Sequence, residues 1–186
     1  MHHYGRFDEG ALRPHPIFAG HSHGYTSVSL VDRSTGSVHT GLSLNHLDSG
    51  GTIDPHVHSF EEGFYVLTGE ALVTIGQESY RLGPGDYGAV KVGTPGAWRA
   101  AGPTPVRWLQ MAAPQPKPPG AERDTFFLRD RTMASDAPRL DPSNPRGNLL
   151  GHFDAAQIPP VAERKNVVAG LEGVFLKWMI DEDFGA

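Results

Sequence analysis

Two histidines and a carboxylate lie close together in the first half of the chain. One residue separates His56 from His58, and Glu62 follows four positions after the second histidine. If the histidines stand on a β-strand, where side chains alternate between faces, both imidazoles point the same way. Neutral imidazole is the commonest metal ligand in proteins. Two imidazoles with one carboxylate suit a divalent metal such as Zn, Mn, Fe or Ni, so these three residues are the predicted metal ligands.

The spacing around these residues resembles the first motif of the cupin superfamily. That motif runs Gly, five residues, His-x-His, three or four residues, Glu, six residues, Gly, and Gly50, His56, His58, Glu62 and Gly69 occupy its positions. The resemblance implies an all-β cupin jelly roll, that is, a double-stranded β-helix. It also implies a metal-dependent enzyme acting on a small polar metabolite. Cupins include dioxygenases, isomerases, decarboxylases and the two-domain ureidoglycine aminohydrolases, and the fold alone does not select among these activities.

The second cupin motif, which supplies a further histidine ligand, is incomplete. Gly85 fits its start, but its histidine position falls on Gly96, or on Trp98 or Arg99 if a turn is inserted. None of these three residues is a normal metal ligand. The departure weakens any transfer of the family's chemistry to this chain.

Three interpretations of the missing ligand follow. In the first, the three predicted ligands hold a metal alone and leave positions open for water or substrate, as catalytic sites do. In the second, Gln110 or His152 completes the ligand set. In the third, the site is vestigial and the barrel is a non-catalytic binding or assembly module.

Other residues near the motif have a predicted place in the barrel. Glu61 precedes the predicted ligand Glu62, so on a strand it points to the opposite face and serves a surface role. Trp98, Tyr87 and Phe64 are candidates to line a small pocket at the barrel mouth together with Gln110. For each aromatic residue, the alternative is ordinary barrel core.

Composition narrows the class of protein. The chain has 186 residues, a net charge of −5 and no run of Lys or Arg that would suggest nucleic acid. It contains no cysteine, no visible signal peptide and no apolar run long enough to span a membrane, which is compatible with the cytoplasm. Its 23 glycines and 16 prolines favour many short strands joined by turns.

The order of strands and breaks predicts four segments. Residues 1–16 form an N-terminal arm, and residues 17–113 form the barrel. Residues 114–169 are a proline-rich linker and a surface excursion. Residues 170–186 carry a C-terminal strand that is apolar on both faces and needs a partner, which predicts a homodimer. The same strand also resembles the start of a second barrel, so the chain resembles the first half of a bicupin. The alternative is a complete protein whose last strand closes its own barrel or pairs with another subunit.

Overall fold

A computed structural model describes most of the chain. The described residues are 6–118, 120–121, 123–141, 149–158, 160 and 179. Apart from position 179, the predicted C-terminal strand lies outside them. The homodimer built on that strand therefore stays a prediction.

Antiparallel strands and short 3₁₀ turns make up the described structure. No helix among the described residues is long and apolar enough to cross a membrane. The strands are β1 Arg13–Pro14, β2 Ser22–Val31, β3 Gly41–His58, β4 Glu61–Thr68, β5 Ala71–Ile75, β6 Glu78–Leu82, β7 Asp86–Val90, β8 Gly96–Ala100, β9 Val106–Ala113, β10 Thr125–Phe127 and β11 Leu150–His152.

The strands form one curled sheet in which sequence neighbours are often not spatial neighbours. Its main order is β11-β7-β4-β9-β3-β8-β5-β6, with β2 and β10 also paired to β3. The long strand β3 is therefore the hub, because it pairs with β2, β8, β9 and β10 along its length. The short strands and turns predicted between residues 25 and 111 are present, and the last residues of β3, His56 and His58, are buried.

Aromatic side chains fill the interior of the sheet. Trp98 stacks on Trp108 with ring centroids 4.5 Å apart and planes 8° from parallel. Phe64 meets Trp98 edge to face at 5.2 Å. All three are buried, and such pairs stabilise a core beyond the apolar area that they bury.

Segments outside the predicted barrel also contribute strands to the sheet. β1 pairs with β2, β10 pairs with the end of β3, and β11 pairs with β7. Leu140 and Leu150 are only 6% and 1% exposed. Burial of these apolar side chains favours docking of the segment on the barrel. The excursion therefore contributes two strands to the same sheet.

Candidate metal centre

The end of β3 and the start of β4 bring the three predicted ligands together. His56, His58 and Glu62 are each buried, with exposures of 4%, 7% and 5%. Each offers a ligand atom, and these atoms all lie within 4.8 Å of one another. Glu61 is exposed on the other face of β4. The alternation of side chains along the two strands thus separates the buried carboxylate from the surface one.

A backbone contact on its own strand orients His56. Its Nδ1 lies 2.7 Å from the carbonyl oxygen of Asp54. A carbonyl only accepts hydrogen bonds, so Nδ1 carries the hydrogen and Nε2 keeps its lone pair. Burial, followed by the nearby His58, lowers the pKa of His56 to about 4. The ring is therefore neutral at physiological pH and able to ligate through Nε2.

A distant segment orients His58. Its Nδ1 lies 2.9 Å from the hydroxyl oxygen of Thr125 on β10. Its Nε2 lies 3.3 Å from a carboxylate oxygen of Glu62. That distance suits an ion pair. Nε2 is nevertheless buried and makes no hydrogen bond within the described part of the chain. The two atoms are therefore close, but their geometry is not that of a hydrogen bond.

The unsatisfied Nε2 provides a test of whether a metal fits. A buried polar atom without a partner costs free energy and calls for an explanation. If Thr125 accepts a hydrogen from Nδ1, then Nε2 carries a lone pair that faces the negatively charged Glu62. A divalent cation between the two atoms would relieve that repulsion. The donor set of two imidazole nitrogens and one carboxylate oxygen is one that divalent transition metals accept, so the residues fit a metal.

The position where the second cupin motif would supply a histidine ligand is open space. Gly96 on β8 pairs with His56 on β3. Paired residues on neighbouring strands point to the same face of a sheet. A Cβ atom at Gly96 would have only the carbonyl oxygen of Thr74 near it, at 4.0 Å. The strand therefore leaves open space across from His56.

The two other candidate ligands are placed differently from each other. His152 lies on β11, where its Nδ1 is 2.7 Å from Asp86, and it is not part of the cluster. Gln110 lines the cavity that also reaches His58, and its Oε1 accepts a hydrogen bond from Asn45 at 3.3 Å. Among the described residues, no further His, Asp or Glu joins the three predicted ligands.

A cavity of about 400 Å³ adjoins the cluster. His58, Phe60 and Thr125 line the part next to the ligands. Polar side chains make up much of the remaining wall, both uncharged (Ser27, Ser29, Ser43, Asn45, Gln110 and Gln115) and charged (Asp32, Arg33 and Lys117). Apolar side chains such as Ile17, Phe18 and Leu42 complete the lining. Small-molecule sites usually combine apolar walls with polar groups that fix the orientation of the ligand.

Three aromatic residues predicted for the pocket are not among those that line this cavity. Phe64 and Trp98 belong to the stacked core already described. Tyr87 packs against β11, where a Cβ on Gly151 would come within 2.5 Å of its ring. Their strands turn these side chains toward other strands rather than toward the cavity.

Three residues of the site escaped the sequence analysis. His15 lines the cavity, and its buried Nδ1 has no hydrogen-bond partner among the residues that the structure describes. Burial, followed by His58, lowers its pKa. Tyr25 donates a hydrogen bond to Asn45 at 2.7 Å, and burial together with Glu62 raises its pKa. Thr125 contacts His58 directly. No local pattern marks them, since Tyr25 and Thr125 reach the site through the pairing of β2 and β10 with β3, and His15 follows β1, which pairs with β2.

Comparison with known proteins agrees with this fold. Residues 43–111 match the cupin domain family. The structure resembles the polyketide cyclase RemF from Streptomyces resistomycificus, with a TM-score of 0.56 and 19% identity over 72% of this chain and 89% of that one. It also resembles a cupin-2 domain protein from Rhodospirillum rubrum, with a TM-score of 0.55 and 18% identity over 68% and 81% of the two chains. No curated protein sequence matches significantly.

The predicted fold class is confirmed. The described structure is a mostly β, curled antiparallel sheet that matches the cupin jelly roll. At such low identity the structural likenesses show the fold alone, so the function must be argued from the site.

Proposed function

We propose that this protein is a metal-dependent enzyme that acts on a small polar metabolite, with His56, His58 and Glu62 as its metal ligands. The observation that carries the proposal is the buried convergence of their ligand atoms beside a cavity. The metal is a divalent transition ion such as Zn, Mn, Fe or Ni. When bound, such an ion can polarise an oxygen atom of the substrate.

The chain's own side chains would bind and orient the substrate. Asn45 is 1% exposed and joins the hydroxyl of Tyr25 to the amide of Gln110. This hydrogen-bonded network fixes uncharged donors and acceptors along one wall of the cavity. It would hold hydroxyl, carbonyl or amide groups of a substrate. Phe18 and Phe60 line the same cavity and would limit the access of water to the ligands.

Metal content after dialysis tests the proposal. The protein is stripped with a chelator, reloaded separately with Zn²⁺, Mn²⁺, Fe²⁺ or Ni²⁺, dialysed, and measured by elemental analysis. We expect about one ion per chain for at least one of these metals and almost none in His56→Ala. The matched control is His152→Ala, because His152 pairs with Asp86 away from the cluster, and this variant should keep its metal.

Two results would contradict the proposal. If the unmodified protein retains none of the four metals, the non-catalytic binding or assembly module becomes the better description. If His56→Ala keeps its metal, the site lies elsewhere in the chain. Binding of small molecules to the cavity can be tested separately. A compound that binds there should raise the melting temperature of the protein by mass action, whether or not a metal is present.

We further propose that the active form is a homodimer. The support is the apolar content of residues 173–180, which is too large to leave in water. The mass in solution of the full chain is compared with that of a chain lacking residues 170–186. An unchanged oligomeric state in a folded truncation would show that this segment does not hold a dimer together.

A further inference from the structure

The short strand β10 lies directly beside the candidate metal ligands. It pairs antiparallel with the end of β3, so that Thr125 stands opposite His58 and Phe127 stands opposite His56. Paired residues share a face of the sheet, so both side chains point toward the ligands. β10 begins 63 positions after Glu62, beyond the residues that match the cupin domain family. A segment outside that match thus closes one side of the site.

A chain of hydrogen bonds runs from β10 to His58. Oγ1 of Thr125 lies 2.9 Å from Nδ1 of His58 and 3.3 Å from Oδ1 of Asp124. Thr125 and Asp124 are only 5% and 4% exposed. Both are therefore part of the interior rather than of the surface.

The direction of the hydrogen bonds follows from what each group can do. A carboxylate only accepts, so the hydroxyl of Thr125 donates to Asp124. The same oxygen is then free to accept, and the hydrogen on Nδ1 of His58 is the one within reach. His58 in this tautomer has a bare Nε2, and that atom faces Glu62.

Backbone contacts fix the position of Asp124. Its Oδ2 accepts a hydrogen bond from the backbone N–H of Lys117 at 2.5 Å. Its own carbonyl oxygen accepts one from the backbone N–H of Ser59 at 2.8 Å. Asp124 is thus tied both to the linker and to the residue that follows His58. A side chain held in this way can hold the hydroxyl of Thr125 in one orientation.

We propose that Thr125 and Asp124 are positioning residues of the metal centre, which hold His58 in the tautomer that leaves Nε2 free to ligate. This inference rests on the proposed metal site. Partners of this kind commonly fix the tautomer and ring orientation of ligating histidines, and their loss typically costs 10-fold to 100-fold in metal affinity. The segment that carries β10, called the extension below, is therefore a functional part of the site and not only a cover for the barrel.

The tautomer can be read without any metal. The full chain is labelled with ¹⁵N-histidine, stripped of metal, and studied by NMR at a pH well above the ordinary histidine pKa of about 6.5. We expect His58 to carry its hydrogen on Nδ1, and we expect Thr125→Val to lose this preference. Thr125→Ser should keep it, because the hydroxyl remains. His56 should not change in any variant, because the carbonyl of Asp54 holds it.

Metal affinity is the second measurement. Thr125→Val should bind the metal that the unmodified protein retains 10-fold to 100-fold more weakly, while Thr125→Ser stays close to the unmodified protein. Asp124→Asn should shift affinity in the same direction by less, because an amide can still accept. The matched control is Thr74→Val, which removes a half-buried threonine hydroxyl on β5 that contacts Ser79 and should leave affinity unchanged.

The outcomes separate this inference from the proposed function. If the unmodified protein binds no metal but its His58 shows the Nδ1–H tautomer and Thr125→Val loses it, the proposed function fails and the positioning contact stands. If the unmodified protein binds metal but His58 carries its hydrogen on Nε2, the inference is overturned. An unchanged tautomer in Thr125→Val would overturn it as well. Should that variant fail to fold, the unmodified protein and Thr125→Ser still decide the tautomer.

Discussion

His56 and His58 stand two residues apart on one strand, but different regions of the molecule hold them. His56 is oriented by the carbonyl of Asp54, two positions back on β3. His58 is oriented by Thr125, which is 67 positions further along the chain. One ligand is therefore set by local strand geometry, and the other depends on the docking of a distant segment.

The same contrast extends to the two sides of β3. On the barrel side, β8 places Gly96 across from His56 and leaves a gap. On the extension side, β10 places Thr125 across from His58 and fills the space with a hydrogen bond. The barrel supplies the ligand atoms, whereas the extension supplies the contacts that tune one of them. Perturbing each side separately should therefore give different results.

The largest expected effect comes from a motif glycine on the barrel side. Gly69 has φ +76°, and a Cβ there would come within 2.3 Å of the carbonyl oxygen of Pro105. Gly50 has a similar φ of +73° with nothing within 4 Å. Urea unfolding should show a loss of about 3 kcal/mol or more for Gly69→Ala, from backbone strain plus the clash. Gly50→Ala should lose about 1 kcal/mol, from strain alone.

Equal losses in the two glycine variants would contradict this account. They would mean that the positive φ, and not the close approach of the turn to Pro105, makes Gly69 necessary. The space around Gly69 would then be large enough for a methyl group.

Acid should weaken the metal-free protein through His56. Its pKa in the folded state is about 4, below the ordinary value of 6.5. The unfolded chain therefore takes up a proton first, so the stability is fully present above about pH 6.5 and falls as the pH approaches 4. The loss should reach about 3 kcal/mol. His56→Asn should flatten the curve of unfolding free energy against pH.

The control for this measurement is His23→Asn, because His23 is exposed on β2. That variant should retain the slope of the unmodified protein. Part of the slope should persist even in His56→Asn, since burial also lowers the pKa of His15. A flat curve in the unmodified protein would contradict the predicted burial of a neutral His56.

On the extension side, two adjacent phenylalanines should behave differently. Phe127 stacks on His21 with centroids 3.7 Å apart and lies 5.9 Å from the ring of His56. Phe126 is 49% exposed on the other face of β10. Phe127→Ala should lose about 1–2 kcal/mol of stability, because it removes a partly buried ring. Phe126→Ala should change stability by less than about 0.5 kcal/mol.

The exchange of histidine ring N–H hydrogens with solvent, monitored by NMR, would show which of the two histidine ligands becomes more accessible to water. We expect the Phe127→Ala variant to expose His56 to solvent faster, while the Phe126→Ala variant leaves it unchanged. If both variants lose the same stability, β10 is held by its backbone hydrogen bonds and not by the ring that faces the site.

The contrast between regions also explains what the sequence could predict. The strands of the barrel follow from alternation and turn residues, and the convergence of His56, His58 and Glu62 follows from their spacing. Thr125 could not be found in this way, because β10 has only three residues and its pairing with β3 leaves no local pattern. The apolar piece around Phe127 is visible in the sequence, but the prolines and polar residues around it favour a surface position. Tertiary packing decides such short segments.

The last expected effect concerns metal affinity rather than stability, and it tests the open position on the barrel side. Gly96→His would place an imidazole across from His56, where a Cβ meets nothing closer than 4.0 Å. An additional ligand on the same face should tighten metal binding about tenfold, or ~1.4 kcal/mol, measured by competition with a chromophoric chelator. Gly96→Ala is the matched control and should leave affinity unchanged, because it adds a side chain without a donor. Equal affinity in the two variants would show that the space across from His56 does not face the metal, and the open coordination position would then have to lie toward the cavity beside His58.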